Sequence, residues 1–178
     1  MKLFKNLFVC VGILIMINLN YSCERDDICT GDGTTPFLII KFIDDDTQTE
    51  IKTPPELEVR ALGDLGEGID PVFPLPTLTD SIFIPLRTDM TTTGYEFVIN
   101  SITTNDGTTP VPSNSDTINF TYTTDDEYVS SACGFKVNFR DFDGDLVIET
   151  GGANWIKNIT VQTEDVTNEA EAHILIFH

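Results

Sequence analysis

Apolar side chains recur at every second position through much of this chain. That period belongs to β-strands, whose successive side chains point to opposite faces, and a helix cannot use it. Ile118, Phe120 and Tyr122 alternate with Thr117, Asn119, Thr121 and Thr123. Phe135, Val137 and Phe139 alternate with Lys136, Asn138 and Arg140. Leu57, Val59 and Ala61 alternate with Glu56, Glu58 and Arg60, the pattern of a strand with one face in a core and one in water. Phe37 to Ile43 is apolar on both faces and reads as a buried strand. Ser81–Arg87, Gly94–Ile102, Leu146–Glu149, Trp155–Gln162 and Ala172–Phe177 complete the set. Val, Ile, Thr, Phe and Tyr dominate these runs, as pleated surfaces prefer. No segment sustains a helical period, and there is no internal repeat. The expected fold is all-β: a single antiparallel β-sandwich of about eight or nine strands over residues 37–178.

Chain breakers divide the strands. Residues 63–80, with Gly63, Gly66, Gly68, Pro71, Pro74 and Pro76, read as a long loop. Asn105 to Gly107 and Pro110 to Ser115 mark a turn region. Asp143-Gly144 and Gly151-Gly152 read as two further turns.

Residues 1–22 read as a signal peptide. Lys2 and Lys5 supply positive charge, Leu7 to Leu19 form an apolar run, and small Ser22 sits at the expected cut. The run has 13 residues, too few for a spanning helix, which needs roughly 20. Cys23 comes next. Ser22-Cys23 after such a leader resembles a bacterial lipobox, whose cysteine thiol receives a diacylglycerol and becomes the first residue of the mature chain. The pattern departs from the usual one at Asn20, where an aliphatic residue normally stands. The other reading is an ordinary secreted protein with a free thiol at residue 23. Residues 23–36 read as a tether, acidic at first, then rich in Gly and Thr. Glu24, Arg25, Asp26 and Asp27 resemble the surface-export signal of Bacteroidetes-type lipoproteins; a solvated linker would have the same composition. The expectation is an outer-membrane lipoprotein, displayed on the cell surface rather than facing the periplasm.

The charge restricts partners. Ten Lys and Arg face 29 Asp and Glu, a net charge of −19, which becomes −21 once Lys2 and Lys5 leave with the leader. Nucleic acid is not an expected partner, because phosphate binding needs clustered cations. An anionic membrane surface would repel the domain as a whole. The expected membrane contact is the lipid on Cys23.

Four cysteines are present. Cys10 leaves with the leader and Cys23 takes the lipid, so Cys29 and Cys133 remain as a pair in an oxidising compartment. A structural disulfide is the leading reading; two buried thiols are the alternative. A zinc site would need further ligands, and the two histidines, His173 and His178, lie far off in sequence.

No catalytic, cofactor or metal site is legible. Asp141, Asp143, Gly144 and Asp145 begin like a calcium loop, but Leu146 and Gly152 stand where an EF-hand needs Gly and Glu. An Asp-flanked β-turn is the better reading. Asp44 to Asp46 read as a charged loop. No nucleophile elbow, zinc-protease or phosphate-loop motif occurs. Trp155 reads as a core residue before it reads as a sugar platform. Asp80-Ser81-Ile82 and Asp116-Thr117-Ile118 resemble an O-glycosylation acceptor of Bacteroidetes-type exported proteins, although Ser81 and Thr117 are better read as ordinary strand residues.

Four stretches carry a family resemblance: C-E-R-D-D-I-C (Cys23–Cys29), T-P-F-L-I-I-K-F (Thr35–Phe42), D-T-I-N-F-T-Y (Asp116–Tyr122) and Y-V-S-S-A-C-G-F-K (Tyr128–Lys136). They resemble an uncharacterised family of flavobacterial lipoproteins, a domain of unknown function. The resemblance implies lipid attachment and the Cys29–Cys133 pairing, and it implies no activity, cofactor or catalytic residue. The expected function is a non-enzymatic envelope protein that binds or assembles with another envelope protein. A glycan or small-ligand module is the alternative, and a carboxylate hydrolase a more distant one.

Overall fold

A computed structural model describes Cys29 and residues 34–63, 71–101 and 112–178, with 71–77 as backbone alone. The leader, Cys23, the acidic cluster and the turn at Asn105–Gly107 lie outside the described residues. Among those residues there are nine strands and no helix: β1 (Leu38–Ile43), β2 (Leu57–Leu62), β3 (Pro71–Thr77), β4 (Ser81–Ile84), β5 (Thr92–Ile99), β6 (Asn114–Ser130), β7 (Gly134–Leu146), β8 (Asn158–Val161) and β9 (Ile174–Phe177). They form a four-stranded sheet in the order β4-β1-β9-β8 and a five-stranded sheet in the order β3-β2-β5-β6-β7.

The alternating residues meet between the sheets. Leu38, Ile40 and Phe42 of β1, Ile82 and Ile84 of β4, and Ile174 and Ile176 of β9 pack in one core with Leu57, Val59, Tyr95, Phe97, Ile118, Phe120 and Tyr122 of the other sheet. This is the arrangement of a sandwich. Trp155 is buried in the same core, and its indole N–H donates to the Phe97 carbonyl at 3.0 Å, so its aromatic surface is not a sugar platform.

One pairing departs from a wholly antiparallel sandwich: β1 and β9 run parallel, with Ile40 opposite Ile174 and Ile43 opposite Phe177. These two strands are apolar on nearly every position, with only Lys41 charged. Strands of that kind belong at the centre of a sheet, where both edges and both faces are covered.

Two turn assignments are corrected. Residues 71–77 form the edge strand β3, although Pro71, Pro74 and Pro76 read as loop breakers. Proline lacks a donor, and an edge strand needs donors on one side only. Asp143-Gly144 is no turn. It lies within β7, where Asp143 faces Thr121 and Gly144 faces Phe120, and Leu146 ends that strand rather than starting another.

The change of course in β7 is a bulge. Thr121 and Thr123 of β6 pair with Asp143 and Arg140, so two steps on one strand match three on the other. Asp141 is the extra residue, with φ at 51°, a left-handed conformation that Asp tolerates better than most residues. Its carboxylate accepts the Thr123 hydroxyl at 3.0 Å. The bulge shifts the phase of alternation. Phe139 and Phe142, three residues apart, both enter the core: Phe139 meets Tyr122 edge-on at 5.0 Å, and Phe142 stacks on Phe120 at 5.5 Å.

Candidate functional site: the disulfide-bonded hairpin tip

β6 and β7, with 17 and 13 residues, are much longer than the strands of the facing sheet, which have 4 to 6. At about 3.4 Å per residue, the hairpin outruns its sandwich partner by several residues. Core burial on β6 stops at Tyr122, and residues 123–128 are exposed. Beyond that point Thr124 faces Phe139, Glu127 faces Lys136, Tyr128 faces Phe135 and Ser130 faces Gly134. Ser131, Ala132 and Cys133 turn the chain. Gly134 follows with φ at 72° and open space where a Cβ would stand, so glycine is needed there for its backbone and not for clearance. The Ser130 hydroxyl accepts the Cys133 N–H at 3.1 Å.

This projecting tip is fastened to the chain's beginning. Cys133 and Cys29 form a disulfide, with Cα atoms 4.9 Å apart and a sequence separation of 104 residues. The expected pairing is present, and Cys29 is exposed. The Val137 N–H donates to the Thr35 hydroxyl at 3.0 Å. Val166 bridges Phe139 through two backbone hydrogen bonds of 2.8 and 3.0 Å. The free edge of β7 is thereby covered in places by the incoming N-terminal segment and the 163–166 segment, which limits edge-to-edge pairing.

Tyr128 and Phe135 stand at the tip, 57 % and 68 % exposed, with ring centroids 5.4 Å apart and planes at 66°. Tyr128 to Phe135 is an uncharged run of eight residues in a strongly acidic chain. Charge returns immediately behind it. Lys136 pairs with Glu127 at 3.3 Å, and Arg140 with Asp165 and Asp125 at 3.3 and 3.4 Å. Hydrogen bonds from Asn138 and Lys136 hold the Glu127 carboxyl below its usual range, and the flanking carboxylates hold Arg140 charged.

Other sequence candidates are placed elsewhere. Asp141, Asp143 and Asp145 are all exposed on β7 and alternate along it. Among the described residues, no three His, Cys, Asp or Glu side chains converge as metal ligands would. Ser81 and Thr117 are half-buried within β4 and β6. Asp116, beside Thr117, is buried and accepts the Ile156 N–H at 2.7 Å and the Asn154 amide at 3.0 Å. Burial pushes its carboxyl upward, yet these bonds make it a strut for the Trp155 segment rather than an acid in a cleft. His173 is buried, and its Nδ1 accepts the Ile39 N–H while Nε2 meets the Asn168 carbonyl, each at 2.9 Å. Both nitrogens are committed to backbone.

The described surface includes shallow depressions. One of about 340 Å³ lies beside Leu62, Arg87, Met90 and Asn119. Another of about 330 Å³ lies beside Gln162, Asp165, Asn168 and His173. Their described linings hold no Phe, Tyr or Trp. Sequence reasoning missed the Tyr128–Phe135 pair. The available signal was two aromatics flanking a small, uncharged Ser-Ser-Ala-Cys-Gly stretch.

No curated protein and no solved structure matches the chain. A family of unknown function, DUF6452, matches residues 59–178, from β2 through the hairpin to β9. With that match spanning most of the sandwich and the whole of the projecting hairpin, the chain belongs to the DUF6452 family.

Proposed function

We propose that this protein is a lipid-anchored envelope protein of the flavobacterial type, held in the outer membrane through Cys23 and displayed at the cell surface. Its role is non-enzymatic: it binds or assembles with another component of the envelope. The observation that carries the reading is the disulfide at Cys29, six residues after Cys23. A bridge of this kind persists in an oxidising compartment, where the leader and Ser22-Cys23 would deliver the chain. Further support comes from the histidines. Burial holds both in the neutral form, and each is bonded to backbone, His178 through the Lys52 carbonyl at 2.9 Å. These imidazoles serve the fold.

Metabolic labelling with an alkynyl fatty acid tests the anchor. The wild type takes the label and Cys23→Ser does not; equal labelling of both overturns the reading. Protease added to intact cells then tests display. The wild-type domain is digested, and replacement of Glu24, Asp26 and Asp27 by Ala retains it inside and protects it.

A further inference from the structure

The disulfide places the projecting tip beside the anchor. Cys23 and Cys29 are six residues apart, so the chain between them spans at most about 20 Å. Cys29 is bonded to Cys133 in the turn of the hairpin. With the two Cα atoms of the bridge 4.9 Å apart, Cys133 at the tip remains within about 25 Å of Cys23, whatever path the intervening chain takes.

We propose that the hairpin tip is the membrane-facing end of the domain, with Tyr128 and Phe135 seated in the headgroup region of the bilayer that holds the lipid on Cys23. The inference rests on the lipid-anchor reading and adds an orientation and a second, protein-made contact. Aromatic rings favour this interface, where an apolar body and a polar handle are both satisfied. Tyr128 has such a handle, its hydroxyl 3.2 Å from Ser131 Oγ. The run Tyr128–Phe135 carries no charge to desolvate. Asp125, Asp126 and Glu127 directly behind it limit the depth and favour a zwitterionic surface over an anionic one. Two rings alone would bind weakly. The tether raises their effective concentration at the surface, so a weak contact suffices to set orientation.

The test uses the mature lipoprotein, purified from membranes and reconstituted into phosphatidylcholine vesicles with brominated acyl chains. Wild-type emission comes from Trp155 alone, which is buried, and supplies the background. Phe135→Trp adds a reporter at the tip, and Tyr128→Trp a second one should the first perturb folding. Ile148→Trp adds one beyond the opposite end of the hairpin, where the side chain is 73 % exposed. The expected result is at least twofold quenching and a blue shift for the tip reporters, with Ile148→Trp unaffected. If intact mass shows the lipid, the protein floats with the vesicles and the tip reporters stay unquenched, the membrane contact is overturned and the tip is left to face water or a protein. Quenching of Ile148→Trp above the tip reporters overturns the orientation. A mass without lipid on Cys23 overturns the anchor reading, and this inference with it.

Discussion

His173 joins the last strand to the first at the scale of one side chain. Its Nδ1 accepts the Ile39 N–H, so the ring proton lies on Nε2 and donates to the Asn168 carbonyl. A second proton on Nδ1 would confront a donor. Burial lowers the pKa, with only partial relief from Asn168 and Glu169. The unfolded value is about 6.5, so the unfolded chain takes up protons first as pH falls. Stability is complete above about pH 6.5 and declines as pH drops from there toward the folded pKa. Burial shifts His178 the same way. Urea melts should therefore show a falling midpoint between pH 7 and pH 5. His173→Gln should lower the midpoint at pH 7 and flatten that slope; an unchanged slope would remove His173 from the account. The lowered carboxyls of Asp44, Asp89 and Glu127 act in a more acidic window, where they begin to protonate. Asp116 has the opposite sign, because its raised pKa favours the folded state as it protonates.

Among the elements, β7 depends on one irregular residue. Asp141 holds a left-handed conformation so that Phe139 and Phe142 can both face the core. Asp141→Val places a β-branched residue at φ 51° and should cost about 1–2 kcal/mol in chemical denaturation, whereas Asp141→Gly should be close to neutral. Equal stability of the two variants would show that the conformation is not needed. Three residues on, a Cβ at Gly144 would lie 3.1 Å from Ile174 Cδ1 and 3.3 Å from the Phe120 ring, between the sheets. Gly144→Val should therefore cost about 1–3 kcal/mol by overpacking. Most strands were legible because alternation is local: Leu57–Ala61 and Ile118–Tyr122 stand where their periods put them. The bulge was not, because Asp-Phe-Asp-Gly-Asp carries a strong local turn signal and the register that overrides it lies on β6. β3 was missed for a related reason. Its prolines argue for a loop until the strand is known to lie at an edge.

For the whole molecule, the covalent frame was more legible than the surface. Setting aside Cys10 as part of the expected leader and Cys23 as the expected lipid acceptor left Cys29 and Cys133, and those two are joined. The aromatic pair at the tip was hidden because alternation assigns Phe135 to the same face as Phe139, which is buried. Only the short facing sheet leaves Phe135 in the open. The disulfide that fixes this tip also constrains the unfolded chain. Its ends are 104 residues apart, for which the chain-entropy argument gives about 4–5 kcal/mol, and structure remaining in the unfolded state lowers that to a range of about 2–5 kcal/mol. Against a usual domain margin of about 5–15 kcal/mol, the loss is large. In protein made from residue 24 onward in an oxidising compartment, Cys133→Ser should lower the melting temperature by about 5–20 °C. Thiol titration of the wild type under denaturant should find no free thiol; two reactive thiols would refute the bridge. In the full-length chain the cysteines should separate cleanly. Cys133→Ser keeps the fatty-acid label and loses thermal stability, whereas Cys23→Ser loses the label and keeps the melting temperature. A Cys133→Ser domain that melts with the wild type would mean that strand pairing alone holds the hairpin.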